Sequence, residues 1–161
     1  MSTFKEEERI QYARHFSLPN FGEEGQERLR AGRILVVGAG GLGCPALSYL
    51  AAAGVGKIGI VDPDQVSRSN LQRQVLYGVD DLGKKKAEVA KARLEAMNPY
   101  IEIESYPIAL DPENVFELIE AYDLVLDGTD NFATRYLIND ACVLKGKINI
   151  YASIFRFDGQ V

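Results

Sequence analysis

Ile34-Leu35-Val36-Val37-Gly38-Ala39-Gly40-Gly41-Leu42-Gly43 decides the fold. Four aliphatic residues in a row, without polar alternation, are the pattern of a parallel strand buried on both faces. Gly38, Gly40 and Gly43 then spell G-x-G-x-x-G, and a helix is expected from Gly43 to Ala53. The first glycine permits a tight turn. The next lets a phosphate approach the backbone, and the helix start offers unpaired N–H groups with a partial positive charge. The same string also occurs as a ligand-free turn, and it does not by itself separate ATP from NAD or FAD.

Outward from this segment, strand and helix alternate. A second strand, Lys57 to Asp62, is stopped by Asp62-Pro63-Asp64, which places the Asp62 carboxylate where ribose hydroxyls would donate to it. Ser67 to Asp81 reads as a long functional loop with room for a helical turn. A helix follows from Gly83, with Ala87, Ala90, Leu94 and Met97 as its core stripe and Pro99 as its stop. Ile101 to Tyr106 is the third strand. Asp111-Pro112 opens a helix through Leu118 and Ile119, and Asp123 to Leu126 is the fourth strand. Asp130 is expected to cap a helix from Asn131 to Leu144, before a fifth strand, Lys147 to Ala152; Phe155 to Val161 alternates like the opening of another. Residues 1–31 are polar and helix-prone, with a second short helix over Gly22 to Arg30, and read as an N-terminal arm. The expected architecture is α/β: one Rossmann-like domain over 1–161, an open, mostly parallel sheet with helices on both faces and an N-terminal helical arm.

Bulk properties narrow the function. A chain of 161 residues that is 47% apolar can bury one core. Its net charge of −5 argues against a general nucleic-acid binder, so an anionic ligand must be held by a local cation cluster. Cys44 and Cys142 lie far apart with no CxxC pair and no secretory signal, which suggests buried free thiols in a cytoplasmic protein. With His15 as the single histidine, they are too few for a four-ligand zinc site, so no zinc is expected in this chain. No apolar stretch approaches the ~20 residues that cross a bilayer.

The candidate cations follow the glycine loop. In Asn70-Leu71-Gln72-Arg73-Gln74, Arg73 offers phosphate a planar fork of donors, while Asn70 and Gln74 either order the loop or touch the nucleotide. A solvated surface arginine is the plain alternative. Lys84, Lys85 and Lys86 read as the first turn of a helix, where the macrodipole disfavours each cation by about 0.3–1 kcal/mol and a bound polyanion would remove the conflict. At about 100° per residue, Lys86 falls roughly 60° from the apolar stripe, at the edge of the cleft, with Lys84 and Lys85 nearer solvent. In Asp127-Gly128-Thr129-Asp130-Asn131, Asp130 is either only a helix cap or a Mg²⁺ ligand, and Arg135 either tethers this loop or lies on the surface.

Taken together, Tyr12-Ala13-Arg14, Gly38 to Gly43, Asp62, Ser69 to Gln74, Lys86 and Thr129-Asp130-Asn131 with Arg135 resemble the ThiF/MoeB/HesA-type adenylyltransferases of molybdopterin and thiamine biosynthesis, relatives of the ubiquitin-activating enzymes. The resemblance implies ATP-dependent adenylation of the C-terminal carboxylate of a ubiquitin-like sulfur-carrier protein ending in Gly-Gly. It implies a nucleotide site of Gly38, Gly40, Gly41, Gly43, Asp62, Asn70, Arg73, Gln74, Lys86, Asp130 and Asn131. Asp62 would hold ribose, Arg73 and Lys86 phosphates, and Asp130 magnesium, with Arg14 reaching the phosphates of a neighbouring subunit in a homodimer. His15 stands where the family has glutamine, and members continue for ~80 residues past the position of Val161, so the domain is expected to be incomplete at its C-terminal side. A nicotinamide or flavin oxidoreductase half and a non-catalytic nucleotide-binding remnant are the rival readings.

Overall fold

β1 (Arg33–Val37), β2 (Lys57–Val61), β3 (Glu102–Tyr106), β4 (Leu124–Asp127) and β5 (Ile148–Tyr151) pair in parallel in the order β3-β2-β1-β4-β5. This computed structural model describes residues 4–161; the first three residues of the expected arm lie outside them. Crossovers are made by α4 (Gly43–Ala53), α5 (Lys86–Met97), α6 (Val115–Glu120) and α7 (Phe132–Lys145), and the arm by α1 (Glu6–Gln11), α2 (Ala13–Phe16) and α3 (Gly22–Ala31).

The two-faced burial of β1 explains its unbroken apolar run. Val36 packs with Leu47, Ala51, Ala90 and Leu94 of α4 and α5 on one side of the sheet. Leu35 and Val37 pack with Val115, Ile119, Ile138 and Ala141 of α6 and α7 on the other. Strand order reverses at β1, flanked by β2 and β4, and a reversal of this kind opens a crevice at the carboxyl edge. Val37 is level with both Val61 and Asp127, so Gly38, Asp62 and Gly128 leave the sheet side by side.

The arm sits at the opposite edge. Tyr12 is buried, its hydroxyl accepts from Asn98 Nδ2 at 2.7 Å, and Gln26 Nε2 donates to Ala53 O at 2.8 Å at the C-terminal end of α4. Gly54, with φ of 85°, ends α4; a Cβ there would come within 2.7 Å of the Tyr12 ring and hydroxyl. His15 closes the contact through Nδ1, 2.7 Å from Gln26 Oε1, and stacks on Tyr12. Since α4 begins at the glycine loop and rises ~1.5 Å per residue, the arm docks about one helix length from that loop.

Several local expectations change. α5 begins at Lys86 rather than Gly83: residues 83–86 instead run antiparallel to 64–66, with Gly83 N donating to Val66 O, Val66 N to Lys84 O and Lys86 N to Asp64 O. Met97 is 45% exposed, because Asn98 takes the buried place at the helix end and donates to Tyr12 and Ala51. Asp111 caps a turn through Glu113 N and Asn114 N ahead of α6, whose own cap is Asn114. The long loop contains two 3₁₀ turns, Arg68–Asn70 and Val79–Asp81. Residues past β5 form a separate antiparallel hairpin, β6 (Ser153–Phe155) with β7 (Asp158–Gln160), rather than one further strand. No helix among the described residues is long and apolar enough to cross a membrane.

Candidate nucleotide site

The glycine loop is shaped by contacts that leave no room for side chains. Gly38 adopts φ of 92°, donates to Val61 O at 2.8 Å, and a Cβ on it would lie 2.8 Å from Gly128 O. A Cβ on Gly43 would sit 1.8 Å from Gly38 O, an overlap no rotamer relieves. Between them the Ala39 backbone is clamped from two sides. Its N–H donates to Asp62 Oδ2 at 2.8 Å, and its C=O accepts from Tyr77 OH at 2.9 Å and Cys44 Sγ at 3.2 Å. A planar trans peptide points N–H away from C=O, so the Gly40 N–H faces the crevice. Among the described residues no acceptor meets the N–H groups of Gly40, Gly41 or Leu42, which leaves them to an anion at the start of α4.

Asp62 is 4% exposed and its two oxygens accept from Ala39 N and from Asp64 N at 2.9 Å. Each oxygen retains a lone pair, so the carboxylate braces the loop and can still accept from a ribose hydroxyl. Tyr77, which the sequence does not mark, has its phenol pushed far up by burial and therefore stays a donor at any working pH.

Arg73 and Gln74 hang over the loop. A Cβ at Gly41 would meet Arg73 Cδ at 3.3 Å, and one at Gly40 would meet Gln74 Nε2 at 3.6 Å. The Arg73 guanidinium is exposed and has only a 3.5 Å contact to Ser69 O, too long for a strong bond. Gln74 is 4% exposed, yet its Oε1 has no hydrogen-bond partner among the described residues. Asn70 orders this turn through its backbone, its C=O accepting from Arg73 N and Gln74 N, both at 3.1 Å.

The three lysines separate cleanly. Lys84 Nζ pairs with Asp81 Oδ1 at 3.2 Å and Lys85 Nζ donates to Pro63 O at 2.9 Å. Lys86 alone is buried, its side chain 5% exposed, with Nζ 2.8 Å from Asp64 Oδ2. The helical-wheel reason for singling out Lys86 fails, because Lys84 precedes α5 and Lys85 is its cap; the antiparallel strap, not a first helical turn, turns Lys86 inward.

After β4, Asp127 is fully buried, with Oδ1 accepting from Thr129 N at 2.9 Å and Thr129 Oγ1 at 2.6 Å. Arg135 tethers the loop, as one of its two expected roles: Nη2 donates to Thr129 O at 2.6 Å, Nη1 to Tyr151 OH at 3.1 Å, and the guanidinium lies over the Tyr151 ring. The cap of α7 is Asn131, whose side chain accepts from Thr134 N at 2.9 Å, and not Asp130. Asp130 is thereby released: its carboxylate is exposed and, among the described residues, unpartnered. No group of three or more acidic, histidine or cysteine residues gathers there. A lone free carboxylate fits Mg²⁺, which takes one or two carboxylates and completes its shell with phosphate oxygens and water. Arg14 is exposed on α2, in the arm at the far edge, and is not brought to this chain's own loop.

The ThiF family model matches residues 12–161. The chain belongs to the ThiF family. It is 55% identical over 159 residues to a probable adenylyltransferase/sulfurtransferase, MoeZ, of Mycobacterium tuberculosis, covering 99% of this chain and 41% of that protein. It is 55% identical over 155 residues to a sulfur carrier protein adenylyltransferase of Thermus thermophilus, covering 96% and 57%. The fold matches E. coli tRNA N6-threonylcarbamoyladenosine dehydratase, TcdA, in complex with ATP, at a TM-score of 0.86 and 27% identity, over 91% of this chain and 60% of that one. This ThiF-family chain thus spans about half the length of the curated relatives it matches.

Proposed function

We propose that this ThiF-family chain binds Mg-ATP at its carboxyl edge and adenylates the C-terminal carboxylate of a ubiquitin-like sulfur-carrier protein ending in Gly-Gly, in the cytoplasm. The observation that carries the reading is the buried Lys86 ammonium beside a glycine loop overhung by Arg73, in a protein of net charge −5. Adenylyltransferase relatives, one of them named for sulfur carriers, support it. Nothing at the site favours a nicotinamide or flavin.

The chemistry asks little of the protein beyond charge and position. A terminal carboxylate with pKa near 3.5 is ionised at neutral pH, so attack on the α-phosphorus needs no general base. The Gly40, Gly41 and Leu42 N–H groups would bind phosphate oxygens, Asp62 would fix the ribose, and Arg73 and Lys86 would offset repulsion between the two anions and hold charge on departing pyrophosphate. Gln74 Oε1, buried without a partner, would accept from the nucleotide. Asp130 would hold magnesium, which when bound supplies further neutralisation of the phosphates. Because the arm lies at the far edge of its own sheet, Arg14 would act on a second subunit, in a homodimer.

The test is ATP–pyrophosphate exchange with a carrier protein. Exchange is expected with an intact Gly-Gly terminus and not with the terminus amidated, since an amide cannot attack as a carboxylate does. Exchange that ignores the carrier's terminus would overturn the reading.

A further inference from the structure

Lys86 is the one lysine of its run whose ammonium is buried, and the group that holds it is Asp64, to which neither the glycine loop nor the reading of the site assigns a role. We propose that Asp64 is a positioning residue: it sets the Lys86 ammonium for the phosphates and couples it to Asp62 at the end of β2. The inference rests on the ATP site proposed for this chain.

Three contacts carry it. Asp64 N donates to Asp62 Oδ1 at 2.9 Å, so the carboxylate expected at the ribose also fixes the Asp64 backbone. Asp64 O accepts from Lys86 N at 3.0 Å, which sets the first residue of α5. Asp64 Oδ2 meets Lys86 Nζ at 2.8 Å. Asp62, whose oxygens accept from Ala39 N and Asp64 N, makes no such contact with Lys86 Nζ among the described residues.

The burial is one-sided, and that distinguishes this pair from ordinary surface ion pairs. The Lys86 side chain is 5% exposed while that of Asp64 is 65% exposed. An ammonium buried to that degree needs a partner, and among the described residues Asp64 is its one ion-pair partner. An ammonium has three donors, so one bond to Asp64 leaves two for phosphate oxygens, and the pair need not break when nucleotide arrives. The flexible four-carbon stem of lysine would otherwise sample many rotamers, a freedom the ion pair removes before binding. The other two lysines of the run are engaged elsewhere: Lys84 with Asp81 and Lys85 with Pro63 O.

The experiment has two arms, both on Asp64→Asn, which keeps size and removes charge. In the ligand-free protein, competitive acetylation read by mass spectrometry is expected to label Lys86 several-fold faster in the variant than in wild type, with Lys91 as internal reference. In the second arm ATP affinity is measured with and without magnesium for Asp64→Asn, Lys86→Ala and the double variant. Asp64→Asn should weaken ATP by about tenfold, the scale of one charge-assisted hydrogen bond, equally with magnesium and without it. In the Lys86→Ala background it should do nothing further. Unchanged Lys86 labelling, additive losses, or a loss confined to magnesium-containing buffer would each overturn the role given to Asp64. Failure of wild type to bind ATP would instead overturn the proposed function, and the labelling arm would still report on the Asp64–Lys86 contact.

Discussion

At the scale of single residues, the charges of the structural ion pairs and those of the carboxyl edge are held differently. Arg33 with Asp123, Lys57 with Glu104 and Arg93 with Asp81 are matched cations and anions, as expected of structure. At the carboxyl edge Arg73 and Asp130 have no ion-pair partner among the described residues, and Lys86 is paired but buried, an arrangement open to a charged ligand. The structural network on β3 makes a clean contrast. Glu104 accepts from Lys57, from Tyr106 and from Tyr122, and these hold its carboxyl down to about 2, with Lys57 the largest cause. A lowered folded value means that the stabilisation is present above the ordinary 4.5 and is lost as pH falls from there through about 2. Glu104→Gln should therefore lower stability to urea at pH 7 and flatten the acid limb over that window, while leaving ATP binding unchanged. Urea titrations across pH would check both.

At the scale of elements, each glycine of the loop has a different tolerance. Gly43→Ala drives a methyl to 1.8 Å from Gly38 O, a backbone atom that cannot swing aside, and should cost several kcal/mol in urea unfolding, among the large effects of single substitutions. Gly41→Ala meets only the flexible Arg73 stem at 3.3 Å, so its stability should change by less than about 1 kcal/mol while ATP binding falls, because the methyl and the displaced arginine occupy the phosphate's place. Equal losses of stability in the two variants would contradict this division. The same elements explain what the sequence makes legible. β1, α4 and β2 follow from an aliphatic run, a glycine string and Asp-Pro-Asp, signals that are local and strong. The start of α5 does not, because the pairing of residues 64–66 with 83–86 spans a long loop and no local pattern encodes it. For the same reason Asp64 and Tyr77 escape notice: their partners, Lys86 and Ala39, are distant in sequence. Asp130 and Asn131 are adjacent residues that both make good caps, and only the geometry after β4 gives the cap to Asn131.

At the scale of the whole molecule, the sheet separates two jobs. Its carboxyl edge gathers the glycine loop, Asp62, Arg73, Lys86 and Asp130, whereas its amino edge docks the arm through Tyr12, Gln26 and Asn98. That distance is the physical reason to expect Arg14 to serve a partner's site rather than its own. Arg14→Ala and Lys86→Ala proteins should each lose carrier-dependent exchange and, once subunits exchange, regain part of it on mixing, because some dimers then hold one site with both residues; no recovery would mean that Arg14 does not act across subunits.

The central claim is a triphosphate site and not a dinucleotide one. Calorimetric titration of the wild-type chain and of its Lys86→Ala and Lys85→Ala variants with Mg-ATP, and of wild type with NADH, tests it most directly. Mg-ATP should bind wild type and Lys85→Ala alike, Lys86→Ala at least tenfold more weakly, the scale of one lost charge-assisted hydrogen bond, and NADH not at all. Tight NADH binding, or equal losses for the two lysines, would contradict the account.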